Sequence, residues 1–255
     1  MPSIFHVDAF ASEPFAGNPA AVCLLEKEAP DAWMQNVAAA MNLSETAFLL
    51  REEDHWSLRW MTPAAEVDLC GHATLASAHV LFTERAHASP IRFSTRSGVL
   101  EAARTNAGIQ LDFPARHSEP ADPPAGLLAA FGLSEAVAVQ RFRRDVLIVL
   151  DTEDAVRAVD PDYRALLAID VRAVMVTAPG QDVDFVSRFF APSVGVDEDP
   201  VTGSAHCVLG TYWSERLGKT AFQAAQLSKR GGRLGVELQG DRVLLRGHAV
   251  TTLRG

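Results

Sequence analysis

The chain has 255 residues, 48% of them apolar and 22% charged, with a formal net charge of −9. That apolar share supplies packed cores and excludes a disordered chain, and the acidic balance withholds the basic footprint of a nucleic-acid binder. No run of about 18 apolar residues occurs, so no membrane span is expected.

Ile4 to Phe10 alternates loosely and predicts an opening strand. A turn-rich loop follows in Glu13-Pro14-Phe15-Ala16-Gly17-Asn18-Pro19, where glycine and prolines break regular pairing, and Ala20 to Leu25 resumes as a strand. Pro30-Asp31 opens an amphipathic helix on the stripe Trp33, Val37 and Met41, closed at Asn42. Thr46 to Leu50 and the alternating Trp56-Ser57-Leu58-Arg59-Trp60 predict two more strands. Further strands are expected at Ile91 to Thr95, Val99 to Ala103 and Ile109 to Phe113. Pro114 to Pro124 is rich in proline and charge and reads as a linker. Beyond it, strands are expected at Val146 to Leu150, Ala173 to Thr177 and Phe185 to Phe190, with Asp160-Pro161 capping a helix. Val236 to Leu238 and Val243 to Leu245 flank a hairpin turn.

Met1 to Asp8 carries neither the basic head nor the long apolar run of a signal peptide. Cys23, Cys70 and Cys207 are scattered without C-x-x-C spacing, which fits a reducing compartment; a cytoplasmic protein is expected.

One phrase occurs twice. Arg59-Trp60-Met61-Thr62-Pro63-Ala64 leads through an acidic stretch into Cys70-Gly71-His72-Ala73. Arg188-Phe189-Phe190-Ala191-Pro192-Ser193 leads likewise into Thr202-Gly203-Ser204-Ala205. The prolines stand 129 residues apart and the glycines 132, a slip of three residues in a loop. Each copy predicts an aromatic strand, an acidic turn and a glycine-started helix. The helices, 72–83 and 203–217, are built mainly of small and apolar residues, the composition of a helix buried on all sides. The expected fold is α+β: two pseudo-symmetric lobes, each a curved, mainly antiparallel sheet wrapped around one central buried helix. The lobes are placed at 1–114 and 125–255, with the terminal strand free to cross to the other lobe.

Helix starts offer unpaired amides and the positive end of the dipole, and Gly71 and Gly203 lack a Cβ that would keep a ligand away. If both starts face one interlobe cleft, they suit a carboxylate or an enolate; the alternative is that the glycines only serve tight turns. Glu45 is unduplicated, since the 129-residue offset takes it to Val174. A partly desolvated carboxyl there would have a raised pKa and could exchange protons near neutrality; the alternative is a cap after Ser44 or a solvated turn. Asp197, Glu198 and Asp199 precede Pro200, and the first two read equally as a solvated loop. Asp199 adjoins the helix start, where it could bind an ammonium group or orient His72. His79 reads as structural. No H-x-x-x-H pair or Cys/His cluster is legible, so no metal is expected. Gly203-Ser204-Ala205 fails the serine-hydrolase elbow, and no dinucleotide or P-loop signature appears, so no cofactor is expected either.

These motifs together resemble the phenazine-biosynthesis PhzF family: Asp8-Ala9-Phe10 with Phe15-Ala16-Gly17-Asn18-Pro19-Ala20-Ala21-Val22, Leu43-Ser44-Glu45-Thr46-Ala47-Phe48, Cys70-Gly71-His72-Ala73-Thr74, and Asp199-Pro200-Val201-Thr202-Gly203-Ser204-Ala205-His206. The resemblance spans nearly the whole chain. It implies the diaminopimelate-epimerase-like fold, a homodimer, and a glutamate at Glu45 that shuttles a proton. It also implies that His72, Asp199 and Ser204 bind and orient substrate. Gly71, Gly203, Ala73 and Asn18 complete the expected binding set. The two-cysteine racemases of this fold place a thiol before each helix-start glycine; Cys70 fills the first place but Thr202 the second, which disfavours that chemistry. The expectation is a cofactor-independent isomerase acting on a small anionic carboxylic acid. The alternatives are a non-catalytic metabolite-binding or regulatory protein and a one-thiol epimerase built on Cys70.

Overall fold

The computed structural model describes residues 2–255; Met1, where the first predicted lobe begins, lies outside the described residues. Two compact units result. The first combines the segment ending at Asp112 with Leu244–Gly255, and the second is Phe113–Val243. The final segment thus belongs with the N-terminal unit rather than with 125–255.

In the first unit, β1 (Ser3–Ala9) and β2 (Asn18–Leu25) pair antiparallel across the loop at Phe15 to Gly17. Asp8, fully buried, holds that loop by accepting a hydrogen bond from the Phe15 amide at 2.7 Å. Gly17 needs to be glycine: its φ is +66°, and a Cβ would lie 2.2 Å from the Ala9 carbonyl oxygen. Helix α1 (Asp31–Met41) follows, closed by Asn42 in the left-handed conformation. Its core face is Met34 and Ala38, which join Cys23, Phe48 and Met61, with Val37 partly packed alongside. Trp33 instead stays 37% exposed with its ring edge against Phe48. The predicted stripe is therefore one residue out of phase, because the helix is apolar on two adjacent stripes.

β3 (Glu45–Arg51) runs parallel to β2, with Ala20 opposite Glu45, and antiparallel to β4 (Trp56–Met61). The short β5 (Glu66–Val67) returns on β4 and leads into α2 (Gly71–Glu84), whose residues 72–78 are all buried. β6 (Ile91–Thr95) pairs parallel with β4, and β7 (Gly98–Thr105) and β8 (Gly108–Pro114) complete the meander.

The second unit repeats this plan. β9 (Glu119–Pro120) pairs with β10 (Ala138–Phe142), with α3 (Leu127–Ala130) between them. β11 (Asp145–Val149), α4 (Glu153–Ala158), α5 (Tyr163–Leu166), β12 (Ala173–Pro179) and β13 (Phe185–Ala191) follow. β14 (Val196–Asp199) returns on β13 and leads into α6 (Gly203–Leu217). β15 (Ala221–Gln226), β16 (Gly232–Gln239) and β17 (Arg242–Gly247) come next, and β18 (Ala249–Arg254) pairs with β1. As in the first unit, one pair around the repeated strand is parallel, β13 with β15, and so is β11 with β12. Most of the remaining pairs are antiparallel.

The sheet closes tightly on its helix. A Cβ at Gly210 of α6 would lie 2.9 Å from Val236 Cγ1 of β16. The unit's apolar core gathers Leu127, Phe131, Val146, Ile148, Val176 and Phe190.

Two local expectations need correction. The predicted linker is tied down: the Ala115 amide donates to Asp241 O, the Arg116 amide to Cys207 O, and β9 lies within it. Asp162, not Asp160, caps α5, accepting from the Ala165 amide at 3.0 Å. A cap must stand one residue before the helix, and α5 begins later than Pro161 implied.

Candidate active site

The repeat places the same local machinery at each helix start. In the first unit Arg59 donates from Nε and Nη2 to the Glu66 carboxylate at 2.8 and 2.7 Å. In the second, Arg188 donates from Nε and Nη2 to Glu198 at 2.6 and 3.0 Å. Glu198 is therefore no solvated loop acid. Forked pairs of this kind fix the geometry of both partners, so each holds the strand that delivers the chain to the helix. The three-residue slip falls before the glutamate, where the second unit inserts a 3-10 turn at Pro192–Val194.

Against that shared frame the differences stand out. In ladder register Trp60 faces Val67, and Phe189 faces Asp199. Trp60 also faces Ala47, and Phe189 faces Met175. Counting back two residues, Glu45 corresponds to Ala173, not to Val174; the strands differ in register by one residue from the raw sequence offset. Each unit thus carries one acid, Glu45 or Asp199, where the other has an apolar residue. Cys70 and His72 likewise correspond to Thr202 and Ser204.

In the first unit the start of β3 meets the start of α2. His72 Nε2 lies 3.3 Å from Ser44 Oγ and 3.3 Å from Glu45 Oε2. The Glu45 contact lies outside hydrogen-bond geometry, so Oε2 is buried without a bonded partner and the carboxyl and imidazole are in close contact. Cys70 Sγ lies 3.5 Å from His72 Nδ1. Glu45 and His72 side chains retain 18% and 7% of their surface, so the carboxyl is desolvated yet reachable. Burial pushes the Glu45 carboxyl above its ordinary range, opposed by hydrogen bonds from the Ser44 and Cys70 side chains. The thiol, imidazole and carboxyl come within 4.8 Å of one another. This Cys/His/Glu cluster corrects the expectation that none exists: 25 residues separate Glu45 from Cys70, and only the fold joins them.

Cys70 stands at the N-cap of α2 in extended conformation and makes no side-chain hydrogen bond to the first-turn amides of Gly71, His72 and Ala73. Asn18, fully buried, opens β2 two residues before Ala20, the register partner of Glu45. His79 lies on the same helix with Nε2 3.1 Å from Thr251 Oγ1.

In the second unit Thr202 caps α6, again without a side-chain bond to the helix amides. Its hydroxyl donates to the Asp199 carboxylate. Gln226, buried, accepts from the Thr202 amide at 2.9 Å and donates to Asp199 O at 2.7 Å. Gly203 is buried and Ser204 exposed in the first turn. His206 Nδ1 donates to Thr202 O at 2.8 Å, so its buried Nε2 is the bare nitrogen. Desolvation lowers its pKa from 6.5 to about 4. Ser44 and Gln226 were not among the predicted site residues. Ser44 adjoins Glu45 in its motif and could have been found; Gln226, far along the chain, carries no local signal.

The sequence matches the model of the PhzC-PhzF family, phenazine biosynthesis-like protein, over residues 7–255. The chain belongs to this family. It is 51% identical to an uncharacterized isomerase of Halalkalibacterium halodurans over 257 residues, covering 98% of this chain and 96% of that protein. It is 49% identical to an uncharacterized isomerase of Pseudomonas aeruginosa, covering 99% and 97%. The crystal structure of a PhzF-family protein of Enterococcus faecalis superposes with a TM-score of 0.96 at 44% identity, covering 100% of this chain and 98% of that one. The α+β, epimerase-like architecture is thereby shared. No helix among the described residues is long and apolar enough to cross a membrane.

Proposed function

We propose that this PhzF-family chain is a cofactor-independent isomerase that moves a proton between carbons of a small carboxylic acid, with Glu45 as the general acid–base. The observation that carries the reading is the Glu45 carboxyl, pushed above its ordinary range by burial and set 3.3 Å from His72 at a helix start. A carboxyl so placed takes a proton from an activated carbon and holds it for return, which supplies about 10²–10⁴-fold. The helix-start amides beside Gly71, at the positive end of the helix dipole, suit the enolate that forms meanwhile. His72, Ala73 and Asn18, and in the second unit Gly203, Ser204 and Asp199, are proposed to bind the substrate's polar groups. The names of the similar isomerases support the reaction class.

The test is a nuclear magnetic resonance screen of unsaturated and carbonyl-activated carboxylic acids in deuterated water. Wild type should place deuterium on a substrate carbon and E45Q should not. Label transfer by E45Q at the wild-type rate refutes the assignment, and tight binding without any exchange favours a metabolite-binding role. A second reading, a one-thiol epimerase, draws on Cys70 Sγ lying 3.5 Å from His72 Nδ1. It requires that alkylating Cys70 abolish exchange and that enantiomers interconvert. Three buried cysteines, none of them in a disulfide, support a reducing, cytoplasmic setting. A homodimer is proposed from the family resemblance, with sedimentation at working concentration as its check.

A further inference from the structure

The donor set Glu45, Cys70 and His72 has a second chemical capacity, independent of proton transfer. A thiolate, an imidazole and a carboxylate are the ligand types of catalytic zinc, which takes three protein donors and leaves one position open. Bond lengths of about 2.0–2.2 Å to nitrogen and oxygen and about 2.3 Å to sulfur put tetrahedral donors about 3.3–3.6 Å apart. Glu45 Oε2 and His72 Nε2 already stand at 3.3 Å. Cys70 Sγ stands 4.0 Å from the same nitrogen but 3.5 Å from Nδ1, so completing the set requires the thiol or the imidazole to rotate until Sγ lies on the Nε2 side. Oε2 is also buried with no hydrogen bond to break.

We propose that Glu45, Cys70 and His72 form a three-donor site for a thiophilic divalent cation of the zinc type, and that cation binding there switches off any chemistry depending on a free Glu45. The inference rests on the donor distances and not on the isomerase reading. Binding replaces the Sγ–H proton, and the carboxyl proton where present, with metal bonds, and these protons pass to solvent. Thiolate and carboxylate together cancel the charge of the cation, which suits a site this desolvated.

The test uses the full-length chain, stripped with a chelator and titrated with cobalt(II), whose thiolate complexes absorb in the near ultraviolet. One equivalent should develop the sulfur-to-cobalt band in wild type, C23S and C207S, and C70S should show none. E45Q and H72Q should bind zinc at least about tenfold more weakly in competition with a chromogenic chelator, since losing a ligand exceeds the effect of losing a supporting hydrogen bond. A wild type without the band under excess cobalt, or a band that survives C70S, overturns the proposal. Should C70S fail to fold, H72Q decides, and unchanged zinc affinity there is equally fatal. A missing cobalt band leaves deuterium exchange by wild type intact, so the two readings fail separately.

Discussion

His206 gives the sharpest stability prediction. Its ring is fully buried, stacked on Phe185 at a centroid distance of 6.0 Å, with Nδ1 committed to Thr202 O. Folding therefore favours the neutral imidazole, and the folded pKa of about 4 lies below the reference 6.5. A depressed histidine contributes full stability above pH 6.5; that contribution falls as acid protonates the unfolded chain first, until both states are charged below pH 4. Linkage over this window gives a loss of about 2 kcal/mol between pH 7 and pH 5 from this one residue. H206Q keeps an N–H donor but cannot titrate. Urea unfolding at both pH values should show wild type losing about 2 kcal/mol more than H206Q over that interval. Equal losses would refute the argument that burial alone keeps His206 neutral.

Glu45 acts in the opposite sense. Its raised pKa costs stability as pH climbs through the folded value, so E45Q should be more stable than wild type in mildly alkaline buffer, the advantage vanishing as pH falls below about 4.3. Q226L strands the buried Thr202 amide and Asp199 carbonyl and should cost about 2–4 kcal/mol in urea unfolding. G17A forces a Cβ against Ala9 O at positive φ and should lower stability by more than about 1 kcal/mol, read as a drop in melting temperature.

Much of the fold was legible because composition and repetition act locally. The runs at 72–83 and 203–217 have too few charged residues for a solvated helix, and α2 and α6 are indeed encased in sheet. Ambiguity entered where two patterns competed. Apolar residues occupy 33, 34, 37 and 38, so the face of α1 depends on whether Met34 or Trp33 fits beneath Phe48, a tertiary question. The proline-rich segment looked like a linker because its hydrogen bonds go to Cys207 and Asp241, residues remote in sequence. The same limit governs the candidate site. Glu45 and His72 each sit in a recognisable motif, but the approach of the Ser44 hydroxyl and the Glu45 carboxyl to the His72 imidazole follows only from β3 meeting α2. Gln226 reaches Asp199 and Thr202 from β15, a partnership no spacing encodes.

The account turns on a carboxyl kept ready to hold a proton by its surroundings. Carbon-13 labelling of the glutamate side chains, with the Glu45 resonance assigned by its loss in E45Q, allows that carboxyl to be titrated directly. A midpoint above the ordinary glutamate value of about 4.3 is predicted. A midpoint at or below that value would contradict the claim that burial outweighs the hydrogen bonds from Ser44 and Cys70, and with it the case for Glu45 as the acid–base.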